Sequence, residues 1–114
     1  MNTLFLPNNI LPRLANSQSM LIKLTQMFLD SYNKSLDSLR IPLENGDIET
    51  LQKNAHYMKP TVFILFPEEH HNTIKFLEKS SSLGNRQQTI EMFLKLKSDI
   101  KKFAEEAKSY LATH

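Results

Sequence analysis

The sequence predicts an all-α protein, an antiparallel up-down four-helix bundle with an N-terminal extended arm. Apolar residues recur at three- and four-residue steps through four separate segments. Capping and helix-breaking residues fall between those segments. No segment alternates apolar and polar residues as a strand would, and the 114 residues suit a single domain. The expected division is an arm or linker over 1–16 and the helical domain over 17–114.

Pro7 and Pro12 argue for an extended arm, because proline lacks the N–H that an interior helical position requires. Leu4, Leu6, Ile10 and Leu11 would either pack on the domain or belong to a linker. Asn16 or Ser17 can cap the first long helix, whose stripe is Leu21, Leu24, Phe28, Tyr32, Leu36, Leu39 and Leu43. Pro42 is expected to kink this helix or end it near Arg40. Gly46 suits a helix stop and Asp47 an N-cap.

The second helix is expected from Ile48 to about Phe66, with Ile48, Leu51, Ala55, Met58, Val62 and Leu65 inward. Pro67 would close it and open a third helix carrying Ile74, Phe76 and Leu77 and stopping at Gly84. Asn85 with Gln88 is similar to a capping box for the fourth helix. Its seam is Phe93, Leu96, Ile100, Phe103, Ala107 and Tyr110. Lys95, Lys97, Lys101, Lys102 and Lys108 would mostly face water.

Composition narrows the function classes. The chain has no cysteine, which rules out disulfides and thiolate metal sites and fits a reducing, cytoplasmic setting. A net charge of +2 is too small to predict nucleic-acid binding. Met1 to Pro12 is fairly apolar but lacks a basic start, so no signal peptide is expected. No run of residues is long and apolar enough for membrane insertion.

The second helix carries the most informative residues. At about 100° per residue, His56 points well away from the core stripe, together with Glu49, Gln52, Lys53, Lys59, Pro60 and Phe63. Imidazole titrates near neutral pH, so a neutral nucleophilic nitrogen is available at His56. Lys59, one turn on, can hold negative charge that His56 acquires. Pro60 inside a helix is costly, and an outward Phe63 beside a histidine suggests an exposed docking surface. The adjacent pair His70-His71 lacks the spacing of helical metal ligands and reads as a surface pair.

Asp47, Leu51, Ala55-His56, Met58, Lys59 and Pro60-Thr61 together resemble the signature of histidine-containing phosphotransfer (HPt) domains. The resemblance extends over about Met20 to Leu111. Leu65 matches an aliphatic position nine residues after the histidine, and Leu77-Glu78 matches a leucine-acidic pair on the next helix. The chain departs at Pro60 and Phe66, both glycine in the family pattern.

The resemblance implies a phosphorelay protein that carries a phosphoryl group on His56 between aspartates of response-regulator receiver domains. It implies that Lys59 balances the phosphate charge and that Glu78 orients the imidazole. Glu49, Gln52, Lys53, Pro60 and Phe63 would meet the receiver. No cofactor is expected on this chain. Mg²⁺ would belong to the receiver, and the protein would be a monomer without an ATP site. Two alternatives stand beside this reading. One is a non-catalytic helical adaptor that binds receivers. The other is a sensor-kinase dimerisation fragment, disfavoured by Tyr57 and Thr61 where that family carries an acidic residue and a proline.

Overall fold

Local chemistry accounts for where most helices start and stop. A computed structural model describes residues 3–79 and 85–114, and every regular element among them is helical. Helix α1 is a single turn at Pro7–Ile10, followed by a 3₁₀ turn at Leu11–Leu14. Three longer helices are α2 (Gln18–Asn45), α3 (Ile48–Leu65) and α5 (Arg86–Ala112), with the short α4 (Asn72–Glu78) between the last two. At 1.5 Å per residue, α2 should run about 42 Å. This matches the 43 Å long dimension of the molecule. None of the described helices is long and apolar enough to cross a membrane.

The three long helices are capped as their sequences suggest. Ser17, Asp47 and Asn85 accept the backbone N–H of Met20, Thr50 and Gln88 at the starts of α2, α3 and α5. Asn16, the other candidate for the first cap, is instead a left-handed residue at φ 60°. Gly46 ends α2 at φ 72°, a conformation that glycine adopts without steric cost.

Three expectations require correction. The N-terminal arm is not simply extended. Pro7 and Pro12 each lie in the first turn of a helical segment, where a missing N–H costs nothing. Leu4, Phe5 and Ile10 are buried in the core. Glu106 of α5 fixes this segment by accepting the N–H groups of both Leu4 and Phe5, at 2.8 and 2.9 Å.

Of the two outcomes expected at Pro42, an end near Arg40 does not occur, since the helix continues to Asn45 with the proline inside it. The proline leaves the Ser38 carbonyl without its i+4 donor. Asn54 of α3 replaces that donor, giving its side-chain N–H to the Ser38 carbonyl at 2.8 Å.

Pro67 closes α3 but does not open α4. It pushes Phe66 into an extended conformation, as proline does to the residue before it. A 3₁₀ turn at Glu68–His70 then intervenes before α4 begins at Asn72. The expected stop at Gly84 lies outside the described residues.

Helix α3 packs on α2 and α4, and α5 packs on the same two helices. Their common core contains Leu21, Leu39, Leu51, Leu65, Ile74, Leu77, Leu96 and Ile100. At one end the rings of Phe28, Phe66 and Phe103 meet, with Phe66 stacked on Phe103 at 4.4 Å and Phe28 edge-on to Phe103 at 5.0 Å. Phe5 adds a further edge contact to Phe103 at 5.3 Å.

Arg13 connects the N-terminal segment to the end of α3. Its guanidinium donates to the carbonyls of Phe63, Ile64 and Phe66 at 2.7–3.0 Å. These are carbonyls of the last helical turn and cap, which a cation at that end stabilises. We expect Arg13→Met to cost about 1–2 kcal/mol in urea denaturation. Amide exchange should accelerate around the α3–α4 corner. An unchanged denaturation midpoint would show that these contacts are dispensable.

Candidate functional site

The packing of α3 determines where His56 faces. Leu51, Ala55, Val62 and Leu65 are buried on one side of that helix. His56 follows Ala55 by one residue and is therefore rotated about 100° out of the core. Its side chain is 67% exposed.

Glu78, the last residue of α4, comes against His56 because α3 and α4 pack together. One carboxylate oxygen lies 2.5 Å from His56 Nδ1 and the other accepts from Lys59 Nζ at 2.9 Å. Glu78 is only 16% exposed and Lys59 29%, so the pair sits in a shallow recess beneath an exposed ring. The hydrogen bonds from Lys59 first, and from His56 next, hold the Glu78 carboxyl below its ordinary range. An ionised carboxylate can only accept a hydrogen bond, so Nδ1 carries the proton. In the neutral ring, Nε2 is then the nitrogen with the free lone pair.

The other expected residues divide. Glu49, Lys53 and Pro60 are exposed and Gln52 is half-buried, all on the outer part of α3. Phe63 does not fit the expected exposed anchor. It is half-buried and packed against the core. Its ring stacks on His71 at 4.6 Å, with Lys75 Nζ 5.5 Å from its centre. The helical wheel placed Phe63 outside α3 correctly but could not include the 3₁₀ turn that brings His71 over it.

His70 and His71 are not a simple surface pair either. His71 is buried and donates from Nε2 to the Phe66 carbonyl at 2.8 Å. His70 Nδ1 lies 3.1 Å from Asp99 of α5. Among the described residues, no three His, Cys, Asp or Glu side chains converge in a way that could hold a metal ion.

The apolar surface beside His56 lies on the opposite flank from Phe63. A groove of about 630 Å³ opens between α2 and α3, lined by Leu24, Met27, Phe28, Tyr57, Met58 and Val62 among others. At its edge Tyr57 is 68% exposed and Met27 is 55% exposed. Tyr57 is adjacent in sequence to His56, and the ring centroids are 6.2 Å apart.

No family model, curated protein or solved structure matches this chain. What the site can do therefore rests on its own geometry: a proton held on Nδ1, an exposed imidazole and an ammonium one turn away.

Two outcomes follow from this arrangement. Glu78 ionises more readily in the folded protein, so its contribution to stability is present above the ordinary carboxylate value of 4.5 and is lost as pH falls through the depressed one. Glu78→Gln should therefore be less stable than the parent at about pH 7, with the difference closing as pH falls below 4.5 in urea denaturation. A gap that stays constant with pH would contradict the ion pairing. Phe63→Ala should cost about 1–2 kcal/mol of stability, part of the loss seen for a fully buried ring. Thermal melting tests this, and an unchanged melting temperature would restore Phe63 as a free surface residue.

Proposed function

We propose that this protein is a histidine phosphotransfer protein that relays a phosphoryl group between aspartates of receiver domains through His56. The observation that carries this reading is the Glu78 carboxylate bonded to both His56 and Lys59 while the far side of the imidazole stays open. A filler histidine on a helix surface has no need of a tautomer-fixing carboxylate that also holds a lysine. The same reading takes the fold as an antiparallel up-down four-helix bundle, with the N-terminal segment packed on it. It also places the protein in the cytoplasm, as a monomer with no ATP site of its own.

In the proposed step, Nε2 attacks the phosphorus of a receiver's aspartyl phosphate in line with the departing carboxylate oxygen. Glu78 keeps the proton on Nδ1. Lys59 meets the phosphoryl oxygens, and Mg²⁺ belongs to the receiver. Positioning and charge neutralisation then supply the acceleration, as in other phosphoryl transfers. The receiver covers the exposed His56 edge. Tyr57 and Met27 offer it apolar anchors, and Glu49, Gln52, Lys53 and Pro60 form the more polar flank. Pro60 is exposed and compact, so it leaves the approach to the imidazole open.

A second reading, a receiver-binding adaptor without phosphotransfer, draws on the apolar groove, which could hold a partner without any chemistry at His56. Incubation with phosphorylated receivers separates the two. A relay protein acquires an acid-labile label at His56, whereas an adaptor binds and stays unlabelled.

We expect His56→Gln to retain the fold and lose all label. Label that persists there and vanishes on changing His70 or His71 would overturn the assignment. Lys59→Ala should slow transfer at saturating receiver by about ten- to a hundredfold, with a stability loss near 1 kcal/mol. An equal rate would reduce Lys59 to a structural partner of Glu78. Tyr57→Ala and Met27→Ala should each weaken receiver binding by about 1–2 kcal/mol in titration calorimetry. Unchanged affinity in both would remove the receiver from that flank.

A further inference from the structure

We infer that Lys59 and Glu78 form a stored ion pair that exchanges partners when His56 is phosphorylated. This rests on the reading of His56 as phosphoacceptor and adds to it a change of state at Lys59 and Glu78.

Glu78 Oε1 holds Lys59 Nζ at 2.9 Å, while Oε2 holds His56 Nδ1 at 2.5 Å. With His56 neutral, Lys59 is the cation that balances this carboxylate. Both partners are largely covered, at 16% and 29% exposure, so neither charge is left wholly to water.

Phosphorylation alters the charges around the same atoms. As the bond from Nε2 to phosphorus forms, the phosphorus–oxygen bond of the donor aspartyl phosphate breaks. The aspartate leaves with the electron pair. The proton on Nδ1 stays in place, so the ring becomes formally cationic and the new phosphoryl group brings a dianion. Glu78 then faces a cation at Nδ1 without needing Lys59. Lys59, three residues after His56 and so on the same helical face, faces a stronger anion than the one it held. Exchange gives each group an opposite partner: imidazolium with Glu78, and the phosphoryl dianion with Lys59, with one negative charge left to solvent or the receiver. Without exchange, Glu78 would hold two cations while Lys59 stayed away from the new anion. Only the flexible lysine stem has to move, because the bond between His56 and Glu78 is the same before and after.

In this scheme Glu78 is a positioning residue whose charge, and not merely its hydrogen-bond acceptance, matters. Glu78→Gln separates the two properties. The amide oxygen can still accept from Nδ1–H but carries no charge for Lys59 or for the phosphoimidazolium.

The test uses the full chain with two donors. Phosphoramidate labels histidine without a receiver: its P–N bond breaks, ammonia leaves, and the Nε2–P bond forms. The ¹H–¹⁵N resonance of the Lys59 ammonium is followed before and after labelling, with Lys59→Arg identifying the signal. We expect that resonance to shift on labelling of the parent and to stay put in His56→Gln. Glu78→Gln should displace it in the unlabelled protein but have little effect once His56 carries phosphate. Uptake from phosphoramidate should fall about tenfold in Glu78→Gln, equivalent to about 1.4 kcal/mol.

A Lys59 resonance unmoved by labelling, or displaced by Glu78→Gln equally in both states, overturns the exchange while leaving His56 as the acceptor. Unchanged uptake in Glu78→Gln overturns the role given to its charge. Labelling of His56 by phosphoramidate with the expected resonance changes, but none from phosphorylated receivers, supports the exchange and overturns the relay. No label at His56 from either donor overturns both.

Discussion

Phe66 is the residue on which the surrounding structure depends. Its ring is 1% exposed and lies against Phe103 and Phe28, so it joins the end of α3 to the interiors of α2 and α5. Its carbonyl accepts from Arg13 in the N-terminal segment and from His71 ahead of α4. One residue thus fixes how four parts of the chain meet. A glycine at this position, as in the family pattern the sequence resembles, could supply the carbonyl but not the ring. The angle at which the chain leaves α3 is set by Phe66 and Pro67 together, and that exit leads α4 back to where Glu78 reaches His56.

The main helices were legible because their signals are local. Ser17, Asp47 and Asn85 each act within three residues, and the apolar stripes of α2, α3 and α5 reflect the period of the helix itself. What could not be read depended on partners distant in sequence. Whether Pro42 ended its helix or stayed inside it was open, because nothing near it in sequence indicated that Asn54 would satisfy the Ser38 carbonyl. The first residues resembled an extended arm because their attachment depends on Glu106 and on the carbonyls at the end of α3.

The site follows the same division. The outward direction of His56 and its proximity to Lys59 are properties of a single helix and were visible in the spacing. Glu78 is 22 residues from His56, and no periodicity within α3 could place it there; that expectation came from the resemblance alone. Phe63 was misjudged for a related reason. A helical wheel gives the direction of a side chain from its own helix but omits what another segment lays across it, here His71 and Lys75. The groove beside Tyr57 needed two helices at once, since neither Met27 nor Tyr57 forms a surface alone.

Asn54 stands two residues before His56, and its amide is committed to the backbone of α2. That commitment matters most because residue 42 lacks an N–H, which leaves Asn54 to supply the missing donor. With another residue at 42, the helix would satisfy the Ser38 carbonyl internally, and the amide of Asn54 would become redundant or even compete. The two positions are thus epistatic. Substitution of Asn54 is expected to cost more beside a proline than beside an alanine, so the effects of the two changes should not add. In descendants of this sequence, Pro42 and Asn54 would be expected to change together. The register of α3 against α2, and with it the height at which His56 stands, would be inherited as a property of the pair.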